Sequence, residues 1–384
     1  MFHFAAASEL LVCAGAGVST FLLSWSKSKV KPSLTILPKP EERGLLDLQS
    51  QFGYNEHSFL GISVQSEVWI DPQHNGAVSY NESGKFWIVA GEPLGCEQDL
   101  PAITAEFVEY ARSRKKMVAF LPATEKFARS VASQNLRIVK VGASPYFDLQ
   151  KWNPRGNSAK KLRLGVNHGR RSGISVAEVA SVSDEFRVEV DGLIKQWVGS
   201  RRAGVGFGWL FELIPFQNSE AKKYFAARTE EGKLVGLLAA SPIPARDGWY
   251  LEDVLRSTDA PDGTSDLLVF ETLKMLAAHG AKLATLGTVP LSEKGSRDLS
   301  TGHNFIVENA LNLSRKHLNS LYNFEGLGCF KSKFVPTWWE SEYAIVSKGF
   351  LVPPRIANAV FNVIIPGGVL QVLRILLTPP SRPD

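Results

Sequence analysis

The stretch Gly248–Leu268, GWYLEDVLRSTDAPDGTSDLL, predicts a strand, an acidic turn and a helix in succession. Its apolar, β-prone beginning over Trp249–Leu255 favours a buried strand, which Glu252 and Asp253 interrupt. The turn contains a proline that fixes φ, a glycine that permits positive φ and an aspartate that can cap a helix. Apolar residues at near-helical spacing then predict a helix over 264–278. We expect this unit to build a site, and the alternative is an acid-rich turn without a function.

Carboxylates inside the predicted strand need a partner, because an unpaired charge among apolar side chains is costly. Arg256 lies three residues after Asp253 and is the candidate partner that the sequence offers. We therefore expect Asp253 and Arg256 to act as a pair.

Composition sets broad limits on the class of protein. The 384 residues are 44% hydrophobic and 21% charged, which is ordinary for a globular protein and enough for two domains. Cys13, Cys96 and Cys329 are scattered and lack CxxC spacing, so neither a disulfide framework nor a cysteine zinc site is indicated, and a reducing compartment is the simplest interpretation. A net charge of +5 permits an anionic partner, nucleic acid or membrane, without requiring one.

Both ends of the chain are apolar. Residues 4–25 carry only Glu9 as a charge and are long enough to cross a bilayer, and the lysines that follow them would leave the rest of the chain in the cytoplasm. A targeting peptide and a buried helix are the alternatives. Residues 349–378 are broken by Pro366-Gly367-Gly368, which favours a tail that lies on a surface.

A repeated order of elements organises the region between these ends. Hairpin, break, helix and strand are predicted over 76–121 and again over 224–286, and this is the order of the acetyltransferase-like (GNAT) core. The fold class expected is α+β, with two tandem GNAT-like domains that each contain a mostly antiparallel, twisted sheet flanked by helices. The expected divisions are an anchor or targeting segment, a first domain, a second, catalytic domain and a tail: 1–32, 33–152, 153–347 and 348–384.

The segment 151–171 is the most basic of the chain and contains no acidic residue. A helix is predicted over 159–170, and it would gather several cations on one side. That surface would suit a phosphate backbone or anionic headgroups, whereas the alternative is a solvated helix face. The residues predicted to bind phosphate or tRNA here are Lys160, Lys161, Arg163, Arg170 and Arg171.

One match to a known sequence motif is rejected. Residues 201–206, RRAGVG, match the R-x-x-G-x-G loop with which acyl-CoA acetyltransferases bind a pyrophosphate, but they precede a strand-like run instead of joining a strand to a helix. The turn that does join strand to helix carries Asp259 and Asp262, which would repel a pyrophosphate. The sequence thus disfavours coenzyme A, and the same negative charge suits a ligand with an ammonium group.

Three motifs carry a resemblance to a family. EDVLR with DAPDG and DLL, over 252–268, resembles the D-L-M-R…D-A-P-x-G-x-x-D-F-L signature of the C-terminal domain of lysylphosphatidylglycerol synthases, the multiple peptide resistance factors. LGTVPLS over 286–292 is similar to the family's L-G-x-A-P-L-S, and 321–334 resemble its L-Y-N-F-x-G-L-x-x-(Y/F)-K-x-K-F. Weaker matches at 91–95 and 162–171 extend the likeness over about 42–347.

The resemblance implies a membrane-associated aminoacyltransferase whose catalytic domains face the cytoplasm. Such an enzyme moves an aminoacyl group from aminoacyl-tRNA to a hydroxyl group of a lipid. The first candidate for this lipid is phosphatidylglycerol, and a sterol is the alternative. Aminoacyl-tRNA is then the co-substrate, and no further cofactor and no metal are expected. Leu255 replaces the methionine of the D-L-M-R motif, and Glu252 adds a carboxylate before its aspartate. The motifs do not disclose which amino acid is transferred.

The motifs also imply roles for individual residues. Asp253 would bind an ammonium group of the aminoacyl moiety, Arg256 would hold Asp253 or the ester, and Asp259 would close the same pocket. A strand over 330–334 would place Lys331 and Lys333 on one face, towards tRNA or lipid phosphate. Each acidic residue could instead be a structural ion pair or cap, and the lysines a solvated face. The expected substrate-binding residues are Glu252, Gly263, Asp266, Tyr322 and Phe324; His303 is a weaker candidate for a base.

Two other functions stay open at this point. One is an acyl-CoA-dependent N-acyltransferase on the same fold, against which the acidic turn argues. The other is a protein that binds RNA or lipid without catalysis, against which the intact motif residues argue.

Overall fold

The computed structural model describes residues 40–63, 66–199, 213–295, 299 and 324–348. Predictions for 4–25, 201–206, 349–378, His303 and Tyr322 lie outside these residues, as does the side chain of Phe324. Within the described ranges, no helix combines the length and the apolar composition that crossing a membrane requires.

The first half of the chain contributes three helices and six strands. They are α1 Pro40–Phe52, β1 Glu67–Ile70, β2 Gly76–Ser83, β3 Phe86–Ala90, β4 Leu94–Gly95, α2 Leu100–Ser113, β5 Met117–Thr124, α3 Glu125–Ser130 and β6 Leu136–Asp148.

The second half contributes the remaining described helices and strands. They are α4 Lys160–Arg171, β7 Ser175–Glu178, α5 Asp184–Gly199, β8 Lys223–Arg228, β9 Leu234–Ile243, β10 Gly248–Arg256, α6 Thr264–Ala278, β11 Leu283–Thr285, β12 Val289–Pro290, α7 Phe324–Lys333 and β13 Trp338–Ser347.

The described strands form one sheet in the order β1-β2-β3-β5-β13-β6-β11-β10-β9-β8-β7, with β4 beside β2 and β12 beside β6. Neighbouring strands are antiparallel except for β3 with β5 and β10 with β11. Each half thus contains an antiparallel hairpin, a helix and a parallel pair, in the order of the acetyltransferase-like core. The predicted fold class, a mostly antiparallel sheet flanked by helices, is confirmed.

The two halves share their last strands. β6 of the first half pairs with β11 of the second, and β13 of the second half lies between β5 and β6 of the first. The described chain is therefore one continuous sheet. The division into 33–152 and 153–347 stays a prediction, with its boundary in the loop that follows β6.

Local patterns predicted some elements well. β10 and α6 lie where the sequence places them, and α4 differs from the predicted helix by one residue at each end. The predicted strand over 330–334 is wrong, because these residues lie in or next to α7. β6, β13 and α5 were not predicted.

Both faces of the sheet are buried in the second half. Leu238 and Ala240 on β9 belong to the apolar core beneath α4 and α6, whereas Leu237 and Ala239 belong to the core beneath α5. A strand that is buried on both faces needs a continuous apolar run, and LVGLLAA supplies it. α2 and α3 cover a third core in the first half.

Glycines let α4 approach the beginning of α6. Gly263 adopts a φ of +84°, and a Cβ atom there would lie 2.2 Å from the carbonyl oxygen of Gly165 and 2.8 Å from the amide nitrogen of Gly169. A Cβ atom on Gly165 would lie 1.8 Å from an Asp266 carboxylate oxygen. The predicted substrate-binding residue Gly263 is thus a close-packing residue in this fold.

We expect Gly263→Ala to lower the free energy of unfolding by about 1–3 kcal/mol more than Gly280→Ala, because the added methyl group overpacks the α4 contact. Gly280 has a nearly identical φ of +85° and open space around its Cβ position, so both variants carry the same backbone strain. Urea unfolding of both variants measures the difference. Equal losses of unfolding free energy in the two variants would show that α4 can move away from the added methyl group without an energetic cost.

Candidate active site

A β-bulge shapes the strand that carries the predicted catalytic aspartate. Leu251 pairs with Ala240 and Asp253 pairs with Ala239, so Glu252 is the extra residue. Leu251 and Val254 accordingly pack into the same apolar core, although residues three apart point to opposite faces of a regular strand. The bulge places the carboxylates of both Glu252 and Asp253 where they raise the pKa of Tyr224 and Tyr250.

A buried lysine lies with these two carboxylates. The Lys222 ammonium group forms an ion pair with Glu252, and the two side chains are only 3% and 5% exposed. The second carboxylate oxygen of Glu252 accepts a hydrogen bond from the Ser241 hydroxyl. We name Lys222, Tyr224, Ser241, Glu252 and Asp253 the Asp253 cluster.

The Asp253 carboxyl group is the unusual member of this cluster. Burial and the neighbouring Glu252 charge raise its pKa to about 7, although Lys222 opposes both effects. Among the described residues, no hydrogen bond or ion pair reaches this carboxylate. It can therefore receive a cation or a proton close to neutral pH.

The cluster lies where two parallel strands separate. β10 pairs with β11 only from Gly248 to Tyr250, while its pairing with β9 continues to Arg256. Carbonyl groups that follow β11 consequently lose their ladder partners and need other donors. The Lys331 ammonium group supplies them, donating to the carbonyl oxygens of Leu286, Gly287 and Thr288 at 2.6, 2.8 and 2.9 Å.

A second polar group faces the same gap from the first half of the chain. His57 Nε2 lies 3.3 Å from the Thr288 hydroxyl, and its ring centroid lies 5.4 Å from that of Tyr250. We name the following residues the Glu342 cluster: Glu56, His57, Ser144, Tyr146, Thr288 and Glu342. Tyr250 connects the two clusters, since the carboxylates of both raise its pKa.

One proton is shared within the Glu342 cluster. Burial raises the pKa of Glu342 well above its usual value, and the charge of Glu56 adds to this effect. Although burial opposes ionisation of Glu56, the hydrogen bond from Tyr146, at 2.5 Å, and the charge of Arg246 favour it, and the pKa of Glu56 is lowered. Glu342 therefore keeps the proton, and Glu56 carries the charge. Burial also lowers the pKa of His57, which favours its neutral form, and lowers that of Lys331 to about 8.

Glu56, His57 and Glu342 are also the described residues with the geometry of a metal site. Each can present one ligand atom, and these atoms lie within 4.8 Å of one another. Two carboxylates and an imidazole suit a divalent cation. However, Glu342 already accepts hydrogen bonds from Ser144 and Thr288. The proton that Glu342 keeps also explains how its carboxyl group can lie close to that of Glu56 without a metal ion. The expectation that the site needs no metal stays a prediction.

Arg256 and Asp259 do not lie with Asp253 as the sequence predicts. Arg256 is 3.5 Å from Asp262 at the surface, because residues three apart in a strand point to opposite faces. Asp259 is exposed and is held by Lys233 and Ser257, whose hydrogen bonds lower its pKa to about 2. The predicted pairing of Asp253 with Arg256 is wrong in this structure. Asp259 thus has its contacts at the surface in this structure, and its predicted closure of the pocket stays a prediction.

Lys331, Lys333 and Asp266 form contacts within the chain. Lys331 is 8% exposed and donates to three carbonyl groups, and Lys333 forms an ion pair with Asp266. Glu252, expected to bind substrate, lies in the Asp253 cluster. Phosphate binding by the two lysines stays a prediction, and both ammonium groups already have partners.

The basic helix α4 presents its cations to solvent. Arg170 pairs with Glu271 and Arg163 donates to the Gly156 carbonyl oxygen, while Lys160, Lys161 and Arg171 are exposed. Leu164 is 61% exposed among them. This surface keeps the charge pattern that the sequence predicts, and its ligand stays a prediction.

Several residues of the site have no signal in the sequence. Glu56 and His57 come from a loop, Tyr146 from β6 and Glu342 from β13, so their meeting depends on the sheet order. Lys222 precedes β8 and lies 31 residues from Asp253 along the chain. The carboxylates within the apolar run around Asp253 were the one local sign of a buried ionic site.

The family model for the C-terminal region of phosphatidylglycerol lysyltransferase matches residues 49–346. The chain belongs to this family. Phosphatidylglycerol lysyltransferase of Bacillus subtilis is 24% identical over 325 residues, which cover 84% of this chain and 37% of the relative. Phosphatidylglycerol lysyltransferase of Staphylococcus aureus MRSA252 is 23% identical over 334 residues, which cover 86% of this chain and 38% of the relative. The chain therefore spans well under half the length of these relatives.

A solved structure agrees with the fold. L-PGS from Bacillus licheniformis superposes with a TM-score of 0.67 at 22% identity and covers 85% of this chain and 97% of that one. The resemblance inferred from the motifs is confirmed at the level of family and fold.

Asp253→Asn tests the charge assignment at the centre of the site. Because the folded-state pKa of Asp253 is raised from 3.8 to about 7, the folded protein keeps a proton there that the unfolded chain loses. This contribution to stability is complete at low pH and is lost as the pH rises to about 7. Relative to the unsubstituted protein, Asp253→Asn should gain up to about 4 kcal/mol of unfolding free energy over that interval and no more above it.

Urea unfolding at pH 5, 6, 7 and 8 measures this gain. Asp259→Asn is the matched control, since the pKa of Asp259 is lowered to about 2 and its effect should not change over that range. A difference between Asp253→Asn and the unsubstituted protein that is independent of pH would contradict the raised pKa.

Proposed function

We propose that this protein transfers an aminoacyl group from aminoacyl-tRNA to a hydroxyl group of a membrane lipid, with phosphatidylglycerol as the first candidate acceptor and a sterol as the second. The observation that carries the proposal is the unpartnered Asp253 carboxylate in the gap between β10 and β11. Membership of the phosphatidylglycerol lysyltransferase family supports the lipid acceptor, and the basic surface of α4 supports an anionic donor or membrane.

Asp253 would bind the α-ammonium group of the aminoacyl moiety. A carboxylate with a pKa near 7 is easily ionised by an approaching cation, and a partly buried ion pair fixes its orientation. The ester carbonyl then lies farther into the gap, towards Thr288 and His57.

The reaction exchanges one ester for another. The lipid hydroxyl oxygen attacks the ester carbonyl carbon, the bond to the ribose oxygen breaks, and the proton of the lipid hydroxyl ends on the ribose. Because the donor ester is already activated, alignment of hydroxyl and carbonyl can supply on the order of 7–11 kcal/mol of the barrier without a protein nucleophile. Neutral His57, next to the Thr288 hydroxyl, is placed to accept and return the proton, an effect of roughly 10²–10⁴-fold.

Asp253→Asn should reduce transfer at least 100-fold, because the α-ammonium loses its charged partner. The assay incubates purified protein with total tRNA, charged in turn with each radiolabelled amino acid, and vesicles that contain phosphatidylglycerol and a sterol. Label in the organic phase that is abolished by ribonuclease identifies both substrates. Glu109→Gln, which alters an exposed ion pair with Arg112 on α2, should transfer as well as the unsubstituted protein.

Label that remains on tRNA with every amino acid and both lipids would refute the transferase and favour a binding protein. Equal transfer by Asp253→Asn and Glu109→Gln would show that the reaction does not use this aspartate.

A further inference from the structure

The Asp253 cluster already contains a cation that belongs to the chain. The Lys222 ammonium group is buried against Glu252 and lies 5.7 Å from the Phe59 ring centroid. Since the other Glu252 oxygen accepts from Ser241, each oxygen of this carboxylate has a partner within the chain. Glu252 therefore does not offer a second negative site to a ligand.

Asp253 is the member of this cluster that is left without a partner among the described residues. The charges around it limit what can bind. Lys222 offsets part of the rise in the pKa of Asp253, and buried Arg187 lies near enough to Tyr224 to offset part of the rise in the pKa of that hydroxyl. Arg187 Nη1 has no hydrogen-bond partner, so its charge is not offset there. A single added cation balances the negative charge of Asp253, whereas a second added cation would be repelled by Lys222 and Arg187.

The one negative charge of the Glu342 cluster lies on Glu56, whose buried Oε1 has no hydrogen-bond partner, and this charge already interacts with the Lys331 ammonium group. Glu342 holds a proton, and Glu56 accepts a hydrogen bond from Tyr146. The Lys331 ammonium group is near enough to both carboxylates to interact with their charges. Among the described carboxylates of the two clusters, Asp253 is thus the one with neither a hydrogen bond nor an ion pair to the chain.

We propose that the aminoacyl group bound in this gap has an uncharged side chain, and that Lys222 excludes lysyl and arginyl groups by occupying the carboxylate that would bind a second cation. This inference rests on the proposed function and names the class of its donor. The α-ammonium pairs with Asp253, and a side-chain ammonium would be buried without a counter-ion beside Lys222, which is strongly unfavourable.

The departure from the family motif supports this role. Glu252 is the carboxylate that the D-L-M-R signature lacks, and the structure pairs it with Lys222. Two relatives are named lysyltransferases, and the Glu252–Lys222 pair is a feature by which this chain would differ in the amino acid it accepts.

Binding of two amino-acid amides tests the inference without requiring catalysis. Norleucinamide and lysinamide have the same four-carbon side chain, and lysinamide carries an additional ammonium group on its last carbon. Isothermal titration calorimetry should show that the unsubstituted protein binds norleucinamide at least tenfold more tightly. Lys222→Met frees Glu252 and should reverse the preference. The double variant Lys222→Met/Glu252→Gln has neither charge and should restore the preference for norleucinamide.

Glu252→Gln provides a further test, because Lys222→Met leaves a buried carboxylate unpaired and could fail to fold. Without Glu252, Lys222 should pair with Asp253 and weaken norleucinamide binding at least tenfold. Circular dichroism establishes that each variant is folded. The proposal is overturned if the unsubstituted protein binds lysinamide as tightly as norleucinamide or binds neither amide, or if folded Lys222→Met keeps the original preference.

The lipid-transfer assay separates this inference from the proposed function. If the amide preferences follow the predicted pattern while no label reaches lipid, the charge argument stands and the transferase is refuted. If lysine reaches lipid more efficiently than uncharged amino acids, the transferase stands and the inference is refuted.

Discussion

The ladder between β6 and β13 is the interaction on which the site depends. Ten residue pairs join the last strand of the first half to the last described strand of the second. Tyr146 and Ser144 reach the site from one strand, and Glu342 reaches it from the other. The same ladder fixes β11 at the side of β6, and the early end of the β11–β10 pairing opens the gap in which Asp253 lies. Without this ladder, the Glu342 cluster would not assemble.

Burial determines the chemistry of the gap more than any single residue type does. Lys331 satisfies the carbonyl groups that the diverging strands leave unpaired, and a shared proton lets Glu56 and Glu342 lie together. Glu252 and Lys222 balance each other's charge. Because these groups are matched within the chain, the charge of Asp253 stays distinct from its surroundings. A buried ionic site of this kind is specific because few of its charges are uncommitted.

Sequence patterns predicted the parts of the fold that depend on local interactions. The apolar run and the turn chemistry around Asp253 located β10 and α6, and the family motifs identified the fold and the strand that carries the site. The partner of Asp253 was mistaken, since a spacing of three joins side chains on a helix but separates them on a strand. The bulge at Glu252, the shared proton on Glu342 and the ion pair to Lys222 all require contacts between distant segments. One sequence contains no periodic sign of such contacts.

The exchange of last strands between the halves also affects synthesis of the chain. β5 and β6 are complete by Asp148, but β13, which lies between them, begins at Trp338, about 190 residues later. At roughly 5–20 residues per second, the two strand edges that face β13 stay unpaired in the nascent first half for on the order of 10–40 s. Exposed edges of this kind promote association with other chains. The arrangement that assembles the site therefore exposes the growing polypeptide to association with other chains until β13 emerges.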